Sequence, residues 1–402
     1  MKKMKMKIMS LLLAMVMVMG MMTGCGSSSS ETSVTTNTES DTQTEDSADT
    51  EATEDTTEDA ADDTASEAAD DAAELTSEAV IKAAASEGKV GNWGLGNEYE
   101  ILALLAKYGQ PTEYLSQDFT MDGFDDDSVT LASAMTYNEL GLVKNDYDGG
   151  YGYGDSVGII DMNDEGVAMM EDNIFCSKSF AEENPETVKA FLYASIKGWE
   201  YAVANPDEAA QIVYDAGSSV SPDHQQYMAT EVAKLVSTDT KGNSVSDVGN
   251  MDDEAMQQTL DIAKQYVTLD DADANTAFQA LTLDDIRDKS YLEAAKASDG
   301  TFSVEKADVK IQLKWLPQAQ FMGYYVADAK GYYDEVGLNV EIVSGGGDIA
   351  ETTAVNNGTV DFGVTWETNL AAANAGGMNL LEVAQIYQRS GLVLVYKPEN
   401  FK

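Results

Sequence analysis

Between Val309 and Ile342 the apolar pattern changes period twice. Val309, Ile311, Leu313 and Trp315 alternate with polar residues, the period of a strand; a helical stretch follows; then Leu338, Val340 and Ile342 alternate again. Two strands of the same sense joined through a helix belong to a parallel sheet with helices on its faces. The pattern continues to the end of the sequence. "DIAETTAVNNG" reads as a helix, "VDFGVTW" as a strand, "TNLAAANAGG" as a helix, and "LLEVAQIY" and "LVLVYK" as two further strands.

Upstream, the segment 88–170 mixes short strand-like runs ("KVGNW", "SVGIIDM") with one clear helix, "NEYEILALLAKYG", capped by Asn97 and stopped at Gly109. A helical region follows. In "ENPETVKAFLYASIKGWEYAVA" Asn184 stands at the cap and Pro185 at the first helical position. Val188, Phe191, Leu192, Ile196 and Trp199 share one face, which makes Trp199 core. "NPDEAAQIVYDAG" and "DDEAMQQTLDIAKQYV" are two more helices.

The first residues read differently. "MKKMKMK" carries four lysines, the uncharged run "IMSLLLAMVMVMGMM" follows, and then Thr23, Gly24 and Cys25. A basic stretch, a short apolar run and small residues before a cleavage point define a secretory signal, 1–24. Cys25 after Thr-Gly resembles the lipobox of bacterial lipoproteins, which implies a lipidated mature N-terminus. From Glu31 to Glu74 there are 17 acidic residues and no basic one. Such a segment cannot bury enough apolar surface to offset its ordering entropy, so 25–76 is expected to be an extended tether. The formal net charge of −47 is not relieved by any basic cluster beyond the signal, which argues against nucleic acid and anionic membrane surfaces as partners. Cys176 is the other of the two cysteines, so an internal disulfide is not expected once Cys25 is lipidated; it reads as a small apolar packing residue.

Several long blocks carry a family resemblance. "KWLPQAQFMGYYVADAKGYYDEVGLNVEI", "GTVDFGVTW", "AQIYQRSGLVLV", "VGNWGLGNEYEILALLAKYG", "ASAMTYNEL" and "IDMNDEGVAMMED" resemble solute-binding proteins of ABC importers. The similar group binds thiamine-pyrimidine precursor, riboflavin, and alkanesulfonate or nitrate. The resemblance implies an α/β, two-lobed, periplasmic-binding-protein-like fold of type II. The block order differs from the family's, where "WLPQAQF" leads and "NDEGVAM" lies in the middle. The chain therefore resembles a circular permutant, with the usual termini joined through 298–308. On this reading lobe two spans 86–167 and lobe one 168–402, with a single crossing left near "IDMNDEGVAMMED".

In two-lobed binders the ligand lies in the cleft, at carboxyl ends of strands and starts of helices. Trp315, Pro317, Gln318 and Gln320 occupy one such junction, and Trp366, Glu367 and Thr368 another. Trp93, Gly94, Gly96, Asn97 and Glu98 form a glycine-bearing turn into a helix; Tyr137, Asn138 and Glu139 follow the apolar run "LASAM". Tyr324, on the first helix of the late block, and Glu165, in the "NDEGVAM" block, complete the candidate ligand set. Each has a plainer alternative. Trp315 continues the apolar face of its strand, Glu98 and Glu139 could be solvated helix residues, and Tyr324 could be packing. Flat π surfaces with amides and carboxylates suit a planar nitrogen heterocycle. They suit a sulfonate or phosphate poorly, since Lys314 is the one cation at these junctions and is expected to face away. The "SGGGD" turn has no basic partner, and "DGFDDDS" lacks the ligand spacing of a calcium loop.

The reading is thus an extracytoplasmic, lipid-anchored receptor on the outer face of the cytoplasmic membrane. It is expected to be monomeric and cofactor-free, to capture a small heteroaromatic nutrient, and to deliver it to a permease and its ATPase. Thiamine pyrimidine precursor comes first, then riboflavin or an alkanesulfonate. A rival class is an enzyme, because some relatives are pyrimidine synthases that use a histidine and a cysteine-rich iron motif; His224 and Cys176 here form no such cluster. A sensor module on the same fold is a third. Cys25→Ala is expected to release the protein or leave it with an uncleaved signal. Unchanged fractionation and mass, in this variant and under globomycin, would contradict the anchor.

Overall fold

The computed structural model describes residues 75–347 and 349–402. The expected signal, Cys25 and nearly all of the expected tether lie outside these residues, as does Asp348 of the triple-glycine turn. In chain order the strands are β1 (Gly91–Asn92), β2 (Leu115–Ser116), β3 (Leu131–Met135), β4 (Gly158–Asp161), β5 (Asn173–Ser177), β6 (Asp308–Gln312), β7 (Asn339–Val343), β8 (Phe362–Thr365), β9 (Leu380–Gln385) and β10 (Leu392–Tyr396).

They form a mixed α/β architecture with two principal sheets. The larger has the order β7-β6-β8-β5-β9, with β7, β6 and β8 parallel and β5 antiparallel to both its neighbours. The expected mostly parallel sheet is therefore interrupted by one reversed strand. The smaller sheet is β3-β10-β4, with β10 antiparallel to both neighbours, and the parallel pair β1-β2 joins its edge through a bridge between Val90 and Leu131. Each sheet organises a lobe.

This topology moves the lobe boundary. The sequence leads one to expect 168–402 in one lobe, yet β10 pairs along its whole length with β3 and over Val393–Tyr396 with β4. An apolar strand such as "LVLVY" satisfies either sheet equally, so its sequence does not say which one it enters. The chain consequently crosses between lobes twice, at 162–172 and at 386–391, rather than once.

The larger lobe is built around the helix Pro185–Ala204, whose face carrying Val188, Phe191, Leu192 and Trp199 is buried. Phe191 stacks on Phe362 of β8, with ring centres 3.9 Å apart. Gly198 and Gly323 let this helix approach Met322–Ala329 closely: a Cβ on Gly198 would stand 2.2 Å from the Gly323 carbonyl oxygen. Pro185 opens the helix as read, but Asn184 does not cap it through its side chain, which donates back to the Phe180 carbonyl.

The two crossings run side by side and are bonded to each other. Asn163 Nδ2 donates to the Ser390 carbonyl (2.9 Å), and the Ser390 N–H returns to Asn163 Oδ1 (3.2 Å). Glu171 Oε2 accepts from the Gly391 N–H (2.9 Å), Asp172 O accepts from Ile386 N–H, and Arg389 pairs with Asp161 at 2.9 Å. Glu100, from the helix Glu98–Lys107, accepts the Met169 N–H at 2.6 Å.

Glu100 and Glu171 are both fully buried, and the titration of each is pushed up. Burial is the main cause for both, followed for Glu100 by the nearby Glu171; Glu171 reaches about 8. A carboxyl with a raised folded pKa contributes stability that is complete below its unfolded value of about 4.3 and is lost as pH rises through the folded value. Melting temperature is therefore expected to fall between about pH 5 and pH 9, and Glu171→Gln to flatten that fall while keeping an acceptor for Gly391. Parallel pH profiles for the two proteins would contradict this account of the hinge.

Candidate functional site

The lobes face each other across a cleft whose floor lies at the two crossings. From the smaller lobe, β3 ends at Met135 and leads through Tyr137 and Asn138 into the short helix Glu139–Lys144. Trp93 and Leu95 follow β1, and the Trp93 indole N–H donates to the Asp118 carbonyl at 2.8 Å, which fixes its ring. From the larger lobe, β6 ends at Gln312 and is followed by Lys314, Trp315, Gln318 and Gln320; β8 ends at Thr365 and is followed by Trp366. Strand ends and helix starts thus converge from both sides, the usual place for a ligand in such folds.

These residues, with Phe119, line a cavity of about 140 Å³ that is partly open to solvent. Three of the chain's four tryptophans line it. The lobes also touch around it. Phe119 meets Trp315 with ring centres 5.1 Å apart, Thr368 Oγ1 donates to the Gly96 carbonyl (3.1 Å), and Asn369 Nδ2 to that of Leu95 (3.3 Å). Gly96 has φ 115°, and a Cβ there would stand 2.4 Å from Asn369 Oδ1, so this close approach requires glycine.

One residue organises the floor. Asp172 accepts from the Trp366 indole N–H (2.9 Å) and from Gln320 Nε2 (2.8 Å), while Gln318 Nε2 donates to Gln320 Oε1 (2.7 Å). Its backbone is left-handed, φ 44°, a conformation that a short polar side chain tolerates better than most. Burial pushes the Asp172 carboxyl up to about 7, against its hydrogen bonds to Gln320 and Trp366 and the charge of Lys314. Burial likewise raises Glu139 to about 7, although it accepts from the Met135 N–H and from Asn138.

Of the residues picked from sequence, Trp93, Tyr137, Asn138, Glu139, Trp315, Gln318, Gln320 and Trp366 line this cavity together. Five do not. Tyr324 is core, edge-on to Trp199 at 5.5 Å. Asn97 is buried beside Asn92 and Met135, and Glu98 turns back to accept its neighbour Gly96 N–H at 2.7 Å. Glu367 is buried beside Glu382, and burial foremost raises the titration of both. Glu165 pairs with Lys107 and Tyr108, at 2.5 and 2.6 Å.

Lys314 corrects the sequence reading. It is expected to face away, but β6 stops at Gln312, so the alternation of the strand does not extend to position 314. Its ammonium lies 4.4 Å from the centre of the Trp366 ring and 3.3 Å from Glu351 Oε1, at the cavity wall. Asp172, Leu95, Phe119 and Met135 were missed as well. Phe119 and Leu95 sit in loops with no periodic pattern, and Asp172 lies in a crossing whose path the sequence does not reveal. Residues 344–347 do not line the cavity; Gly345 donates to the Trp315 carbonyl at 2.9 Å and so braces that loop. Among the described residues no group of three or more His, Cys, Asp or Glu is placed to hold a metal ion, and Cys176 is buried in β5 as a free thiol.

A mixed α/β fold with two lobes and a cleft between them is consistent with a periplasmic-binding-like protein. The NMT1/THI5-like family model matches residues 76–209 and 318–401, more than half of the chain, and the protein belongs to that family. The family is mostly substrate-binding proteins of ABC transporters, which are not enzymes, but THI5 itself is a synthase. No curated protein matches the sequence. No helix among the described residues is long and apolar enough to cross a membrane.

Proposed function

We propose that the protein is the extracytoplasmic solute receptor of an ABC importer, and that the cavity between its lobes takes a single-ring heteroaromatic nutrient. The observation that carries this reading is the cavity itself: three indoles and Tyr137 for stacking, Gln318, Gln320 and Asn138 for amide contacts, and Glu139 as an acceptor. Its size chooses among ligands. A volume of about 140 Å³ is close to the roughly 150 Å³ that accepts one benzene ring, which favours the thiamine pyrimidine precursor over the three fused rings of riboflavin. A sulfonate is disfavoured because the one ammonium at the wall is already shared with Glu351, and Glu139 lines the same cavity.

The type II architecture and the permuted order belong to the same reading. Support for the latter comes from where the last residues lie. Lys397 and Asn400 both donate to Asp127 Oδ1, and Lys89, just past the first helix, donates to the Asp127 carbonyl. The last residues therefore sit near residue 89, where a family-order chain running from 402 to about Gly88 would pass. Lipidation at Cys25, an acidic tether and a monomeric body that hands its ligand to a permease and its ATPase complete the proposal. A synthase is the second reading, and the absence of a His–Cys cluster in the sequence weighs against it.

A thermal-shift screen of the thiamine pyrimidine precursor, riboflavin and an alkanesulfonate tests this. Ligand at 100 times its dissociation constant should stabilise the fold by about 2.7 kcal/mol. Trp93→Ala and Trp366→Ala should each weaken the bound ring by about 1–3 kcal/mol. A flat response to all three compounds would contradict the receptor reading.

A further inference from the structure

The cavity carboxylate Glu139 is one end of a hydrogen-bonded chain that runs between the lobes. Its Oε2 accepts from the Met135 N–H (2.9 Å) and its Oε1 from Asn138 Nδ2 (2.8 Å). Asn138 Oδ1 lies 2.8 Å from His224 Nε2, and His224 Nδ1 lies 2.5 Å from the Tyr147 hydroxyl. Met135, Asn138, Glu139 and Tyr147 belong to the smaller lobe. His224 comes from the other side, in the first turn of the helix Pro222–Ser237, which packs against the larger lobe. Tyr227 of that helix lies parallel to the imidazole (8°) and donates its hydroxyl to the Thr136 carbonyl, so the ring is held in place.

The sense of the chain follows from which groups can only donate. A backbone N–H cannot accept, so Glu139 Oε2 must. An ionised Glu139 has no proton to offer, so Oε1 accepts too, and Asn138 must turn its NH₂ toward it. Asn138 then presents its carbonyl oxygen to His224, whose Nε2 must carry the proton. Nδ1 is left bare and accepts from Tyr147. A proton at Oε1 would reverse every link: Asn138 flips, His224 Nε2 accepts, and Nδ1 donates to Tyr147. Any mixture of the two senses sets donor against donor, or acceptor against acceptor, in a part-buried site, and that is costly. Burial holds the imidazole neutral, with its titration lowered to about 4, so the ring has one proton to place.

We propose that His224 is a positioning residue for ligand recognition: reaching across from the larger lobe, it orients Asn138 so that Glu139 meets the ligand as a proton acceptor. The ligand class this selects is a ring with a donor edge, an amino group or a ring N–H. Because His224 reaches Asn138 only when the lobes are together, closure and the choice of a donor ligand become one event. The proposal rests on the cavity being the ligand site, but part of its test needs no ligand.

The chain has a single histidine, so the imidazole nitrogen-15 spectrum is that of His224 alone. Near pH 9, above the value of about 7 to which burial raises Glu139, the wild-type protein should show Nε2 protonated and Nδ1 bare. Glu139→Gln keeps the shape but must place its NH₂ toward Asn138, so the tautomer should reverse to Nδ1–H. Tyr147→Phe should leave it as Nε2–H, since the carboxylate sets the sense. A wild-type ring with Nδ1–H, or a Tyr147→Phe ring that reverses, overturns the proposal; so does an unchanged tautomer in a Glu139→Gln protein that melts cooperatively. With the thiamine pyrimidine precursor as probe, His224→Phe should weaken binding about tenfold in the wild-type background and less than about twofold in Glu139→Gln. Equal losses in both backgrounds would mean that His224 acts on the fold alone and would overturn the proposal. A wild-type protein that ignores the probe contradicts the ligand reading instead, and the tautomer result still decides the positioning role.

Discussion

The pairing of the two inter-lobe crossings is the constraint on which the rest of the structure depends. One crossing alone would leave the lobes free to twist about a single chain. Two, stitched by Asn163 with Ser390 and by Glu171 with Gly391, restrict the lobes to opening and closing about one line. Burying Glu100 and Glu171 in that seam gives the hinge a pair of carboxyls that resist ionisation, so its cohesion is tied to protons as well as to packing.

The cavity is a consequence of that seam. Asp172 belongs to the first crossing, and its left-handed backbone turns the carboxylate toward Trp366 and Gln320 of the larger lobe. The floor of the cleft is therefore anchored to the hinge itself. Its walls come from loops of opposite lobes, and Phe119 against Trp315 and Gly96 against Asn369 bring them together. A ring bound there would touch both lobes at once and so favour the closed arrangement by its differential affinity for it.

Much of this was legible in the sequence, for reasons that also explain what was not. Trp93, Trp315 and Trp366 stand at strand-to-helix junctions, and hydrophobic periodicity locates such junctions well. Glu139 could be placed at the end of β3 for the same reason. Periodicity failed at Lys314, where the strand ends three residues earlier than the alternation suggests. It failed again for β10, because an apolar strand does not declare its sheet. Glu165 and Glu98 carry the right chemistry in the right neighbourhood, yet each is consumed by a local partner, Lys107 with Tyr108 in one case and the Gly96 N–H in the other. Asp172 and His224 act through contacts across more than seventy residues of chain, which a local pattern cannot reveal.

The central claim is that one small aromatic ring sits between the lobes against three indoles. Trp199, the fourth, is buried in the larger lobe against Tyr324 and Tyr387, so it serves as an internal reference. Titrating the thiamine pyrimidine precursor while recording tryptophan fluorescence tests the claim directly. The account predicts a saturable change with one ligand per chain, retained in Trp199→Phe and reduced in Trp93→Ala and Trp366→Ala. A spectrum that does not respond, or a response that disappears only with Trp199, would contradict it.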